Sequence, residues 1–287
     1  MRRRWTVIVV ALSAVGAFVA VQAAGAGPAH AVPGMQLVSG DSAYDSETTK
    51  AATAYCPDGT RVLGGGGGIM DLDVGLAARV QITRLQPVAS TDSYTATATE
   101  MGPYDETWQL TAFAICGEAP PGLEYQSYHT FNNSSVRKDA TVVCSRGKQV
   151  IGTGARTEGG DGQVIIEDIV PAGSLHTVGV SAVEVSAGYA GNWSMWGYAV
   201  CADPLPGLEL RSAVHSPEYG ADVVGVSCSW PTKKVHGLGM RIDGADGGVM
   251  HGAMWPTEDL YIGQVSSSTG LAFVGAWSNT AYVICAY

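Results

Sequence analysis

Cysteine is the residue type whose spacing carries the most chemistry in this chain. Six are present, at positions 56, 116, 144, 201, 228 and 285, and no two form a Cys-x-x-Cys pair. That spacing points away from a zinc ribbon or a thioredoxin-like redox centre and towards disulfides formed in an oxidising compartment. Other reactive types are scattered. His129, His176, His215, His236 and His251 share no repeat position, so no ligand set recurs; only His236 and His251 fall in strands that could be neighbours and form a metal pair. Neither a Gly-x-Ser-x-Gly elbow nor a His-Glu-x-x-His helix occurs, and Ser39-Gly-Asp-Ser42 holds serine-protease residues in the wrong order. Gly64 to Gly68 lacks the Lys-Ser or Lys-Thr of a phosphate loop and reads as a close strand contact. Acidic residues follow each glycine pair (Asp71 and Asp73, Glu158 and Asp161, Asp243 and Asp246). Their spacing is not that of an EF-hand calcium loop, and ordinary turns account for it. Glu100 and Glu184 occupy near-equivalent strand positions but unit three offers only Ser268 nearby, which does not support a repeated glycosidase pair. No catalytic residue, metal or cofactor is therefore assigned. The ligand-binding candidates are Trp196, Trp230 and Trp255, the tryptophans outside the repeated framework, because exposed rings stack on sugar faces and anchor interfaces.

These residues ride on a threefold repeat. First cysteines fall at 56, 144 and 228 and second cysteines at 116, 201 and 285. Pro-Gly pairs at 33, 121 and 206, Gly-x-Gly at 64, 152 and 237, prolines at 87, 171 and 256, and tryptophans at 108, 193 and 277 keep the same step. Of the fifteen pairings six cysteines allow, only Cys56–Cys116, Cys144–Cys201 and Cys228–Cys285 respect the repeat. Each closes a loop worth roughly 4 kcal/mol in the chain-entropy model.

Period-two alternation dominates within each unit. Trp108–Cys116, Trp193–Cys201 and Trp277–Cys285 are apolar on both faces, as a central covered strand would be. Ala112, Gly197 and Ala281 keep the cysteine face thin, leaving room for an indole or a neighbouring strand against the disulfide; Trp108, Trp193 and Trp277 are expected in the core beside it. About six strands per unit are legible, with no amphipathic helix. The expected fold is all-β: three tandem disulfide-closed antiparallel β units, at residues 33–120, 121–205 and 206–287. Short stiff linkers such as Glu118-Ala-Pro-Pro favour a pseudo-threefold body over separate beads.

Residues 1–31 read as a signal peptide: Arg2, Arg3 and Arg4, an apolar run from Trp5 to Ala20, then Ala29-His30-Ala31 at the cleavage site. The protein is thus expected to be secreted, with no membrane span after cleavage. Removing those arginines leaves 13 basic residues against 26 acidic ones, a net charge of −13. Such a surface disfavours nucleic acid and anionic lipid. The Ala- and Gly-rich, Lys-poor composition matches a high-GC bacterium.

The string Cys56-Pro-Asp-Gly-Thr-Arg-Val-Leu-Gly-Gly-Gly, closed by Ala112-Phe-Ala-Ile-Cys116, resembles a small unit of bacterial secreted and surface proteins, often found at the end of collagen-like or fibre-like stalks. Unit three carries Ser229-Trp230-Pro231 and lacks the glycine of that turn. The three-unit layout is similar to the β-prism of vitelline membrane outer layer protein, where the repeat is shorter. The resemblance implies a fold and no activity. The expected function is a non-enzymatic binding or structural protein of the cell exterior, its partner an extracellular polysaccharide or cell-wall ligand. An extracellular hydrolase and an inhibitor of extracellular proteases are the alternatives; the oligomeric state is open.

Overall fold

The computed structural model describes residues 32–69, 79–217, 220–270 and 273–287. The expected signal segment, 1–31, and Asp71 and Asp73 lie outside them. Unit one contributes β1 (Gln36–Asp41), β2 (Thr49–Tyr55), β3 (Arg61–Ile69), β4 (Val80–Val88), β5 (Ser93–Glu100) and β6 (Leu110–Gly117). Unit two contributes β7 (Glu124–His129), β8 (Arg137–Val143), β9 (Gln149–Glu158), β10 (Val164–Pro171), β11 (Thr177–Glu184) and β12 (Ser194–Ala202). Unit three contributes β13 (Glu209–His215), β14 (Ala221–Ser227), β15 (Lys234–Asp243), β16 (Val249–Pro256), β17 (Ile262–Thr269) and β18 (Ser278–Ala286). All pairings are antiparallel. Among the described residues no helix is long and apolar enough to cross a membrane.

Every unit splits its six strands between two sheets, and every sheet joins two units. Sheet I runs β2-β5-β4-β9-β12-β7, sheet II runs β13-β18-β15-β10-β11-β8, and sheet III runs β1-β6-β3-β16-β17-β14. The third unit thereby pairs back with the first, and the arrangement is cyclic. Within a unit the two half-sheets pack face to face. A methyl group on Gly65 would lie 2.5 Å from the Tyr94 ring, and one on Gly197 would lie 2.6 Å from Val180. The thin cysteine face thus accommodates the opposite strand layer.

The three bridges are Cys56–Cys116, Cys144–Cys201 and Cys228–Cys285. Cys56 follows β2 in sheet I and Cys116 lies in β6 of sheet III, so the first bridge ties two sheets together; the second ties II to I and the third III to II. The turn after the first cysteine is kept in all three units. Thr60 N–H donates to the Pro57 carbonyl, Lys148 to Ser145 and, without a glycine, Lys233 to Trp230.

The repeated Gly-x-Gly is explained at the centre. An added Cβ on Gly64 would lie 2.1 Å from the His236 carbonyl oxygen, on Gly152 2.0 Å from that of Leu63, and on Gly237 2.4 Å from that of Ile151. Strands β3, β9 and β15 therefore meet backbone to backbone in a closed ring, which no side chain permits. A register shift precedes each of these glycines and leaves Leu63, Ile151 and His236 as the extra residues.

The repeated tryptophans do not sit beside the disulfides. Trp108 lies in an isolated bridge with Asp45 just before β6, eight residues ahead of Cys116 and about 27 Å away at the rise of an extended chain. Periodicity fixes the face of a residue but not how far along the strand its neighbours lie. At that far end Trp108 donates its indole N–H to Glu100 (3.2 Å), under Lys50 at 4.9 Å from the ring. Trp193 repeats this with Glu184 (3.1 Å) and Lys138 (4.5 Å). Unit three departs: Asp222 and Thr269 hold the register positions of lysine and glutamate, and the buried Trp277 indole N–H has no partner among the described residues.

Candidate functional site

The outward face of each sheet is crossed by one row of six paired residues, at equivalent places in the repeat. In sheet III the row is Asp41, Thr111, Gly68, Ala253, Ser266 and Val223. In sheet II it is Val214, Thr280, Arg241, Asp168, Ser181 and Asp139. In sheet I it is His129, Trp196, Arg156, Arg84, Thr97 and Ala51. The middle two residues of each row meet at the seam where two units join. Framework and disulfides repeat, while the chemistry of these rows diverges.

Sheet I is the most functionalised. Trp196 stacks on His129 at 4.1 Å and 8°, and lies 9° from parallel with Tyr198 at 6.3 Å. Arg156 lies over its ring at 5.2 Å and pairs with Glu158, which also approaches His129. Both faces of the indole are thus engaged by neighbours. The guanidinium of Arg84, opposite Arg156, has no ion pair or hydrogen bond among the described residues. Burial first, and Arg156 second, push its guanidinium below the ordinary value. Arg84 Nε, Arg156 Nε, Trp196 Nε1 and Gln86 Oε1 are buried without hydrogen-bond partners among the described residues.

Sheet II carries charges of both signs, with Asp168 Oδ1 buried and unpartnered among the described residues. Asp168 faces Arg241, accepts from the Ser181 hydroxyl at 2.7 Å and lies 3.4 Å from Arg137, which also holds Glu167 and Asp139. Burial still holds the Asp168 and Glu167 carboxyls above their ordinary values. A shallow hollow of about 340 Å³ lies over this group. Sheet III bears a hollow of about 480 Å³ lined by Leu37, Phe113 and Trp255 with Ser39, Thr257, Glu258 and Gln264.

The three sequence-chosen tryptophans occupy different places. Trp196 belongs to sheet I, Trp255 lines the sheet III hollow, and Trp230 lies 62 % exposed in the turn between β14 and β15. Sequence reasoning missed Arg84, Arg156 and His129 in the first group, and Phe113 and Glu258 in the second. Aligning the repeats on Pro87, Pro171 and Pro256 exposes the seam position three residues earlier, where Arg84, Asp168 and Ala253 stand.

The remaining reactive residues are sealed or dispersed. His251 engages Ser267 Oγ at 2.8 Å and the Glu167 carbonyl at 2.9 Å, with both side chains buried. Ser267 continues to Asn279 (3.0 Å), and Asn279 to Asp222 (3.1 Å), which meets His215 at 2.5 Å. His236 is wholly buried with Nδ1 against the Lys234 carbonyl (3.0 Å) and Nε2 unpartnered. Burial lowers both His236 and His251 to about 4. The two histidines bond different partners and do not form a pair. Asp161 bonds the Tyr189 hydroxyl and Asp243 pairs with Arg241. Among the described residues no group of three or more His, Cys, Asp or Glu is placed to hold a metal.

No protein-family model matches this sequence, and no curated protein matches it significantly.

Proposed function

We propose that this chain is a secreted, non-enzymatic binding protein of the cell exterior that holds carbohydrate on its sheet faces. The observation that carries this reading is the hollow on sheet III. Its volume lies in the range of ligand sites, and it sets two aromatic rings, Phe113 and Trp255, beside Glu258, Gln264, Ser39 and Thr257. Apolar ring faces take the C–H face of a sugar, while a carboxylate, an amide and hydroxyls take its hydroxyl groups. Three disulfides fit an oxidising compartment, as the expected signal segment requires.

Affinity electrophoresis through gels containing individual polysaccharides, with cell-wall pull-down beside it, tests the proposal. Retention by at least one glycan is expected, reduced about tenfold in affinity by Trp255→Ala if the ring anchors the ligand. Retention by none, or retention that Trp255→Ala and Phe113→Ala leave unchanged, refutes the assignment.

A further inference from the structure

We infer that the seam of sheet I binds an acidic polysaccharide, with Arg84 taking a carboxylate or sulfate group of the chain. This rests on the reading of the protein as a glycan-binding one and adds a second face with a stated ligand charge.

Two guanidinium groups stand directly opposite each other across the β4–β9 pairing. Like charges at such a position repel and need a reason to be there. Glu158 pairs directly with Arg156 and reaches Arg84 only through longer-range attraction, so among the described residues no carboxylate lies within ion-pair distance of Arg84. The sister seam carries a charge of the opposite sign at the same place. In sheet II the place of Arg84 is held by Asp168, opposite Arg241, so an oxyanion there is built into the chain. In sheet I the corresponding oxyanion must come from outside.

The surroundings select a polymer over a free ion. Beyond Arg84 the outward residues of β5 are Thr95, Thr97 and Thr99, paired across to Thr53, Ala51 and Thr49. On the other side stand Tyr198, Trp196 and His129. The row spans five inter-strand spacings, about 24 Å, with hydroxyls at one end and ring edges at the other. Gln86, whose Oε1 is buried without a partner, lies two residues from Arg84 on the same strand. The protein is acidic overall, so the attraction is local and short in range.

Calorimetry on the oxidised protein tests this with an oligogalacturonate, a neutral xylo-oligosaccharide of equal length, and sodium sulfate. The oligogalacturonate is expected to bind more tightly than the neutral chain, to weaken with added salt, and to lose about tenfold or more in affinity in Arg84→Gln. Arg84→Asp should abolish binding while leaving the melting temperature equal or higher, because it rebuilds the neutral sister seam. Equal affinity for both oligosaccharides, unchanged affinity in Arg84→Gln, or sulfate competing as well as the uronate would each overturn the inference. Binding of the neutral chain, abolished by Trp255→Ala, would leave the sheet III reading standing when this one fails; loss of all glycan binding would remove both.

Discussion

The seams of sheets I and II are the same construction with different contents. Both join the third and fourth strands of neighbouring units through two paired residues, and both place an arginine on the incoming strand, Arg156 or Arg241. Opposite it, sheet II has Asp168 and sheet I has Arg84. In the sheet II seam Asp168 finds Arg137 and Ser181 within the chain, although its Oδ1 has no hydrogen-bond partner among the described residues; in the sheet I seam Arg84 has no ion pair among them. The lesson is that the framework tolerates either content, since the seam is held by backbone pairing and by the axial glycines. The face is thereby released to vary.

The largest effect is expected from imposing the sheet I content on sheet II. Asp168→Arg sets a cation opposite Arg241 and beside Arg137 and should destabilise by about 3 kcal/mol, read as a lower urea midpoint. Asp168→Ala removes the carboxylate without adding charge. Its side chain is 18 % exposed, so the loss should stay below the range for fully buried pairs, at about 2 kcal/mol. In the other direction, Arg84→Asp should stabilise ligand-free protein by up to about 1 kcal/mol, and Arg84→Gln should change stability by less than about 0.5 kcal/mol. A cost for Arg84→Gln matching that of Asp168→Ala would mean that the two seams are equally structural and would erase the contrast.

The finest test is pH. Burial holds Asp168 and Glu167 above their ordinary values of 3.8 and 4.5. In the window just above those values the folded state keeps protons that the unfolded chain has released, so this contribution to stability falls as pH rises through it. Asp168→Asn should remove part of that slope in chemical-denaturation series across the window, whereas Arg84→Gln should leave it intact.

Much of the framework could be read from the residues. Cysteine registers predict the three bridges, and alternation in Trp108–Cys116 and its copies predicts strands covered on both sides. The glycine pairs read correctly as close contacts, though nothing in a linear pattern says that Gly64, Gly152 and Gly237 touch one another. That ring is decided by three-body packing. For the same reason the division of each unit between two sheets was not legible: hydrophobic patterning marks which face is buried, not which copy supplies the cover. Trp196 and Trp255 stood out because they break the repeat. Arg84 did not, since charged residues attract notice as ligands only when the position opposite them is known.

The ring of units has one consequence for the covalent chain. Glu118 N–H donates to the Pro33 carbonyl, Asp203 to Pro121 and Tyr287 to Pro206, so Tyr287 occupies the place where the other two units pass into their successors; Val32 N–H then donates to the Tyr287 carbonyl at 3.2 Å. A peptide joining 287 to 32 with a cut at the 118–121 linker would therefore give a circularly permuted protein with the same sheets and the same bridges. The order in which the three copies are synthesised is then incidental to the finished molecule. Sheet III nevertheless cannot be completed until the last copy has been made, so in the natural order the first strand waits longest for its sheet.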